Sequence, residues 1–220
     1  MDSGCFGADM KLHVLPSGPI ETNAFLLTDA GRGEAILMDA PGDIWDLVEP
    51  ILMQEKCRLV ELWLTHGHWD HTQDAAKVVR ASGAKTRGHL ADKAMFETPQ
   101  MMAAFLSSRI KLESLQIDHW VAQGDRFESL GQTVEVRHVP GHCPGNVLFY
   151  FANEGAAFVG DALFAGSIGR TDFPGCGLEI LLKSIREQIY SLPDSTAVYP
   201  GHGSTTTVGT EKSSNPHVRG

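Results

Sequence analysis

Thr65-His66-Gly67-His68-Trp69-Asp70-His71 follows directly on the apolar run Leu59-Val60-Glu61-Leu62-Trp63-Leu64. An apolar run that ends in a sharp turn reads as a buried strand, and the turn then lies at the strand's carboxyl end, where open α/β sheets leave a crevice for ligands. Beyond the turn, His71, Ala75, Ala76, Val78 and Val79 recur at helical spacing, which predicts that Asp70 and His71 sit in a first helical turn. The junction is therefore strand, turn, helix, the building unit of an α/β fold. It also concentrates four metal-binding side chains in six positions. With 10 His in 220 residues, the pattern His-x-His-x-Asp-His is expected about 0.001 times by chance, so a loop of ordinary surface histidines is a poor account of it.

His66 and His68 are two apart, and in an extended turn their rings can converge on one ion. Asp70 and His71 lie further round and suit a second. Three other segments repeat the same order of apolar strand, glycine-bearing turn and one potential ligand: Val134 to His142, Ala156 to Asp161, and Ala197 to Gly203 with His202. Glycine beside each candidate lets the backbone pass close to an ion or turn with positive φ. Singly each is an ordinary turn; with the first cluster they give His66, His68, Asp70, His71, His142, Asp161 and His202. Seven ligands fit two ions if one carboxylate bridges. Imidazole and carboxylate donors suit zinc, and also iron or manganese, and argue against a thiolate-type structural site.

These residues resemble the metallo-β-lactamase superfamily, whose signature runs His-x-His-x-Asp-His followed by His, Asp and His at later strand ends, and the resemblance covers nearly the whole chain. It implies an α/β fold, a four-layer αβ/βα sandwich with mixed sheets, formed by residues 1–220 as a single domain, with residues 1–10 disordered or preceding an alternative start at Met10. It implies that His66, His68 and His142 hold one divalent ion, that Asp70, His71 and His202 hold the other, and that Asp161 bridges them. Asp39, which ends Ala35-Ile36-Leu37-Met38-Asp39, matches a superfamily aspartate that supports the metal loops from behind the ligands.

His71, Gly169-Arg170-Thr171-Asp172-Phe173-Pro174, Pro200-Gly201-His202-Gly203 and Ser214-Asn215-Pro216 are similar to the small bacterial glyoxalase II type. Only 18 residues follow His202, too few for the C-terminal helical domain of larger glyoxalases II. Arg170, nine residues after Asp161, stands where those enzymes place a cation for glutathione; it either grips a substrate carboxylate in two-pronged fashion or pairs with Asp172 or the surroundings of Asp161. Two positions depart from the pattern. Thr72-Gln73-Asp74 replaces the usual glycines, and Cys143 replaces the common threonine after the ligand histidine, as a thiol near the ions or as a buried inert cysteine.

The activity this implies is hydrolysis of an anionic thioester such as a hydroxyacylglutathione. Two divalent ions bring four positive charges; Asp70, Asp161 and a hydroxide remove three, leaving a positive field that attracts an anion and polarises the thioester carbonyl. Asp70 and Asp161 are the expected catalytic carboxylates, Asp70 also orienting the attacking water. Thiolate leaves without a dedicated acid. The competing activity is that of the mono-iron persulfide dioxygenases of the superfamily, which share the Gly-Arg-Thr-Asp-Phe stretch and would use His66, His142 and Asp161. A non-catalytic metal scaffold is disfavoured, because a site with coordination room is reactive.

Net charge is −9 with no basic cluster, which disfavours nucleic acid as a partner. No apolar stretch reaches the roughly 20 residues that span a membrane, and Met1 to Met10 lacks a signal pattern. Four scattered cysteines, Cys5, Cys57, Cys143 and Cys176, fit a reducing compartment, and a cytoplasmic location is expected. No linker or low-complexity tract interrupts the chain, and each half could supply one sheet with its helices.

Strands are predicted at 11–15, 22–28, 34–39, 58–65, 84–88, 132–139, 146–152, 155–160 and 196–200. Helices are predicted over Asp43 to Met53, with Asp43 as N-cap, and over Leu178 to Arg186. Residues 90–120, methionine-rich and broken by Pro99, read as helical and overhanging. His13, His89, His119, His138 and His217 are expected at the surface or hydrogen-bonded in the core.

Overall fold

The computed structural model describes Phe6, residues 10–105 and residues 110–220. The expectation for residues 1–10 lies, apart from Phe6 and Met10, outside the described residues, as does Leu106 of the methionine-rich segment. The described chain divides into two compact units. The first holds the residues up to Gly88 with Lys93–Trp120, and the second holds His89–Asp92 with Val121–Gly220.

In the first unit the strands β1 (Met10–Ser17), β2 (Thr22–Asp29), β3 (Glu34–Met38), β4 (Arg58–Trp63), β5 (Lys85–His89) and β6 (His119–Val121) form one six-stranded sheet in sequence order. β1, β2 and β3 pair antiparallel, whereas β3 with β4 and β4 with β5 are parallel. The change of direction has a simple cause. Four-residue turns join β1 to β2 and β2 to β3, but helices intervene before β4 and β5, and a crossover returns the chain parallel. Those helices are α1 (Ile44–Glu55), α2 (Trp69–Thr72) and α3 (Ala75–Ser82).

Ile44, Val48 and Leu52 of α1 and Ala75 and Val78 of α3 are buried with Ala24, Leu26, Ala35, Leu37, Leu59, Leu62 and Leu64 in one apolar cluster. The helical period thus meets the two-residue period of the strands. Asp43 occupies the N-cap position of α1, as the sequence predicts, but with φ 64° and no side-chain capping bond. A carboxylate can cap from extended backbone but not from this left-handed conformation.

In the second unit the sheet order is β14 (Thr206–Thr207), β13 (Ala197–Pro200), β10 (Ala156–Gly160), β9 (Val147–Phe151), β8 (Gln132–His138), β7 (Arg126–Ser129). Only β10 and β13 are parallel among its neighbours, and the chain between them contains α5 (Leu178–Ser184), continued as a π-helical turn at Ile185–Ile189. A hairpin of β11 (Leu163–Phe164) and β12 (Ser167–Ile168) precedes α5, and α6 (Val208–Ser214) closes the chain. Leu181, Ile185, Ile189 and Val208 pack on Leu148, Tyr150, Ala157, Val159 and Val198. The alternate residues Phe149, Phe151 and Phe158 are also fully buried, so β9 and β10 are buried on both faces and read as continuous apolar runs. Each unit is thus one mixed sheet with its helices.

Between β5 and β6 the chain forms a short helical turn at Leu90–Asp92, α4 (Lys93–Glu97) and a 3₁₀ run at Pro99–Phe105; the helical reading of 90–120 holds to 105 but not for 110–118, which form no helix. The Ser214-Asn215-Pro216 tail acts as a clamp. Glu211, 1% exposed, accepts from Gly166 N–H at 3.0 Å, Thr206 Oγ1 at 2.7 Å and Asn215 Nδ2 at 2.8 Å. Asn215 also donates to Ser167 O at 3.1 Å. A carboxylate this deep is tolerable only with such donors around it, and the result ties the β11–β12 hairpin and β14 to the end of the chain.

Candidate metal centre

The carboxyl ends of β3 and β4 carry the ligand-type residues of the first unit. Leu64 N–H still bonds to Arg87 O at 2.9 Å, after which the chain turns and enters α2 at Trp69. Asp39, fully buried with φ 61°, is the hub. Its Oδ1 accepts Thr65 N–H at 2.8 Å; its Oδ2 accepts Thr65 Oγ1 at 2.8 Å and His71 Nδ1 at 2.8 Å. Because Thr65 Oγ1 gives its hydrogen to Asp39, the contact at 3.1 Å with His66 Nδ1 has the imidazole as donor. Both His66 and His71 therefore carry their proton on Nδ1, and each presents the Nε2 lone pair.

His66 Nε2 lies 3.1 Å from His68 Nδ1, and the His66 and His71 rings have centroids 4.1 Å apart. Asp70 Oδ2 lies 3.3 Å from His71 Nε2. His66 and His71 are fully buried, and Asp70 is 7% exposed. Lone pairs packed this closely repel unless a cation or shared proton lies between them, so the donor set fits a divalent metal.

In the second unit, Asp161 follows β10, His142 follows β8, and His202 follows β13. Asp161 Oδ2 lies 3.6 Å from His142 Nε2 and 3.4 Å from His202 Nε2, one carboxylate oxygen between two imidazoles. Gly141, Gly160 and Gly203, one glycine beside each of these three residues, have positive φ, whereas Gly201 on the other side of His202 does not.

His142 is gripped by the Gly169 to Phe173 segment. Its Nδ1–H donates to Arg170 O at 2.8 Å, which puts the ring's lone pair on Nε2. Phe173 stands edge-on to its ring at 6.1 Å. Any side chain at Gly169 would collide with the Asp161 carbonyl oxygen and press on the His142 ring. Phe164 of the β11–β12 hairpin stands edge-on to His202 at 6.0 Å.

The Arg170 side chain pairs with Asp172 through two bonds, at 3.0 and 2.9 Å, and lies over Phe173 at 4.7 Å. Asp172 beside it raises the guanidinium pKa, and Arg170 lowers that of Asp172. Cys143 is fully buried with its S–H donating to Asp92 Oδ2 at 3.2 Å, and Asp92 Oδ1 accepts Gly145 N–H at 2.6 Å. The thiol is a structural group that braces the His142 loop.

Sequence reasoning assigned no role to Thr22, Thr65 or Asp92. Thr22 is fully buried and donates to Asp70 Oδ2 at 2.9 Å; the one signal for it was a polar Thr-Asn pair opening an apolar strand. Of the other histidines, His89 and His138 stack at 4.2 Å, and His13 Nε2 lies 3.4 Å from Thr28 Oγ1.

The sequence signature of the Metallo-beta-lactamase superfamily matches residues 17–202. The chain belongs to the metallo-β-lactamase superfamily. A hydroxyacylglutathione hydrolase, GloC, of Haemophilus influenzae is 36% identical over 212 residues, covering 95% of this chain and 98% of that protein. Two solved structures are similar throughout. The crystal structure of BLEG-1 B3 metallo-beta-lactamase has a TM-score of 0.88 at 34% identity, covering 95% of this chain and all of the other. TTHA1623 in a di-iron-bound form has a TM-score of 0.81 at 33% identity, covering 94% and 100%. A dinuclear metal site and hydrolytic chemistry are superfamily properties, and the mixed α/β fold with two mixed sheets matches these neighbours. Among the described residues no helix is long and apolar enough to cross a membrane.

Proposed function

We propose that the protein is a two-metal hydrolase of anionic thioesters, of which a hydroxyacylglutathione is the model substrate. His66, His68 and His142 would hold one ion and Asp70, His71 and His202 the other, with Asp161 as the bridge. Zinc suits this donor set, and iron or manganese fits it as well. The observation that carries the reading is the hydrogen-bond hub at Asp39, which fixes the tautomers of both His66 and His71. A 36% identical relative that is a hydroxyacylglutathione hydrolase supports the substrate class.

Ions held there would lower the pKa of a water toward neutrality and polarise a carbonyl oxygen. The chain supplies the rest. Asp70 can accept a hydrogen bond from the attacking water and so aim it. Asp161 keeps His142 and His202 facing one point. Arg170 can exchange its exposed partner Asp172 for a substrate carboxylate in the same two-pronged grip, while Phe173 beneath it excludes water. A thiolate leaving group needs no proton donor, and none is required of the site.

A one-iron oxygenase centre at His66, His142 and Asp161 would leave Asp70 and His71 without a task, although both are buried and each has a dedicated hydrogen-bond partner. That favours the two-ion reading. Its test is metal analysis of protein purified without added metal, with hydrolysis of lactoylglutathione, hydrolysis of a β-lactam and oxygen uptake on glutathione persulfide followed in parallel. Two ions per chain with thioester cleavage dominant is expected. About one iron per chain with oxygen uptake and no hydrolysis overturns the proposal, as does a preference for the β-lactam.

A further inference from the structure

Thr22 opens β2 and is fully buried. Every strand residue from Ala24 to Leu27 is apolar and at most 2% exposed, and in such a setting a hydroxyl costs free energy unless it finds a partner. Its partner is Asp70, 48 positions away, through Oγ1 to Oδ2 at 2.9 Å. The same Oδ2 lies 3.3 Å from His71 Nε2. On the far side of that imidazole, Nδ1–H donates to Asp39 Oδ2 at 2.8 Å.

Two adjacent residues, Asp70 and His71, are thus each held by a buried group from a different strand, β2 for one and the end of β3 for the other. The Thr22 hydroxyl restricts the Asp70 carboxylate about χ2, whose well is broad for an aspartate.

We infer that Thr22 is a positioning residue of the metal centre. Its hydroxyl locks the Asp70 rotamer so that Oδ2 and His71 Nε2 form a ready-made pair for one divalent ion, and it thereby sets the affinity for that ion. The inference rests on the two-ion reading above. A second role competes with it: the hydroxyl could serve the core alone, by finding any acceptor. The two differ in what valine does. Thr22→Val keeps the branched shape and removes the donor, so a purely structural hydroxyl would change stability and leave metal binding alone. Removal of a group that orients a ligand weakens metal binding by about 10–100-fold.

The experiment compares wild type, Thr22→Val and Thr22→Ser by zinc titration against a chromophoric chelator, with the visible spectrum of the cobalt-substituted protein as a second readout. Thr22→Val is expected to bind two zinc ions at saturation, one of them about 10–100-fold more weakly, with an altered cobalt band. Thr22→Ser, which restores the hydroxyl, is expected to return near wild type. Should Thr22→Val not fold, the ratio of affinities between Thr22→Ser and Thr22→Ala serves in its place. Affinities within about twofold of wild type in the variant lacking the hydroxyl overturn the inference. Because no substrate enters this titration, a wild type that binds two ions and cleaves no thioester sinks the proposed activity while leaving Thr22 to be judged on its own ratio. A wild type that binds no ion sinks both.

Discussion

The two clusters of ligand-type residues, one in each unit, are built in opposite ways. In the first unit four ligand-type residues share one turn, and one carboxylate, Asp39, holds the turn by accepting from Thr65 N–H, Thr65 Oγ1 and His71 Nδ1. In the second unit three ligand-type residues come from three loops, and their order is set by many small fits: the Arg170 carbonyl on His142, the bare Cα of Gly169 against Asp161, and Asp92 on Gly145 and Cys143. A hub concentrates risk in one residue. A distributed design spreads it, so that loss of one fit should disturb one ligand and spare the rest.

The largest effect should therefore follow Asp39→Ala. It leaves three buried donors without an acceptor at about 1–3 kcal/mol each when unsatisfied, and it puts alanine in a left-handed conformation that tolerates aspartate better. A loss of about 3 kcal/mol or more is expected in denaturant unfolding, together with failure to retain metal on dialysis. A loss below about 1 kcal/mol would show that the hub is not where the first half is held.

Gly169→Ala probes the other design. The added methyl meets the Asp161 carbonyl and the His142 ring, and overpacking of this kind costs about 1–3 kcal/mol. It should weaken the ion held with His142 more than the other in a chelator titration, because that ion is disturbed through both His142 and Asp161, whereas the other is disturbed through Asp161 alone and keeps the Asp39 hub. Equal weakening of both ions would mean that the second half is as concentrated as the first.

The same contrast explains what could be seen in the sequence. The first half was legible because its ligands are contiguous, and six positions with four ligands carry their own improbability. His142, Asp161 and His202 were legible only as a repeated grammar of strand, glycine and ligand, and they became a set through resemblance to a family. Nine strands were placed to within about two residues, most of them on apolar runs or on alternating apolar and polar residues. β6, β11, β12 and β14 escaped because two or three residues contain no period, and β7 because Arg126-Phe127-Glu128-Ser129 carries a single apolar side chain. Thr22 and Asp92 were invisible for a different reason. Each acts on a residue about 50 positions away, and no local pattern records such a partner.

The smallest effect concerns a pair of histidines outside both halves yet close in sequence to the second. His89 stacks on His138, which donates from Nε2 to Pro144 O at 2.7 Å, and so the pair adjoins the loop that carries His142. Burial, and then the neighbouring His138, lower the His89 pKa to about 4, with Asp125 opposing. Its Nδ1 accepts Ala91 N–H at 3.2 Å, a bond that only the neutral ring with its proton on Nε2 can make.

With an ordinary value of 6.5 in the unfolded chain, the unfolded state binds more protons than the folded one between pH 6.5 and about 4. Stability must then fall as the pH drops through that window, and it must be unaffected by His89 above it. The group is half-buried, so solvent screening brings the effect to on the order of 1 kcal/mol. His89→Phe keeps an aromatic face for His138 and removes the proton. Its stability relative to wild type, measured by urea unfolding, should be constant from pH 8 to 6.5 and should improve by about 1 kcal/mol on going to pH 4.5. A difference that stays flat across the whole range would place the protonation elsewhere, and the loop of the second half would then be insensitive to acid through this pair.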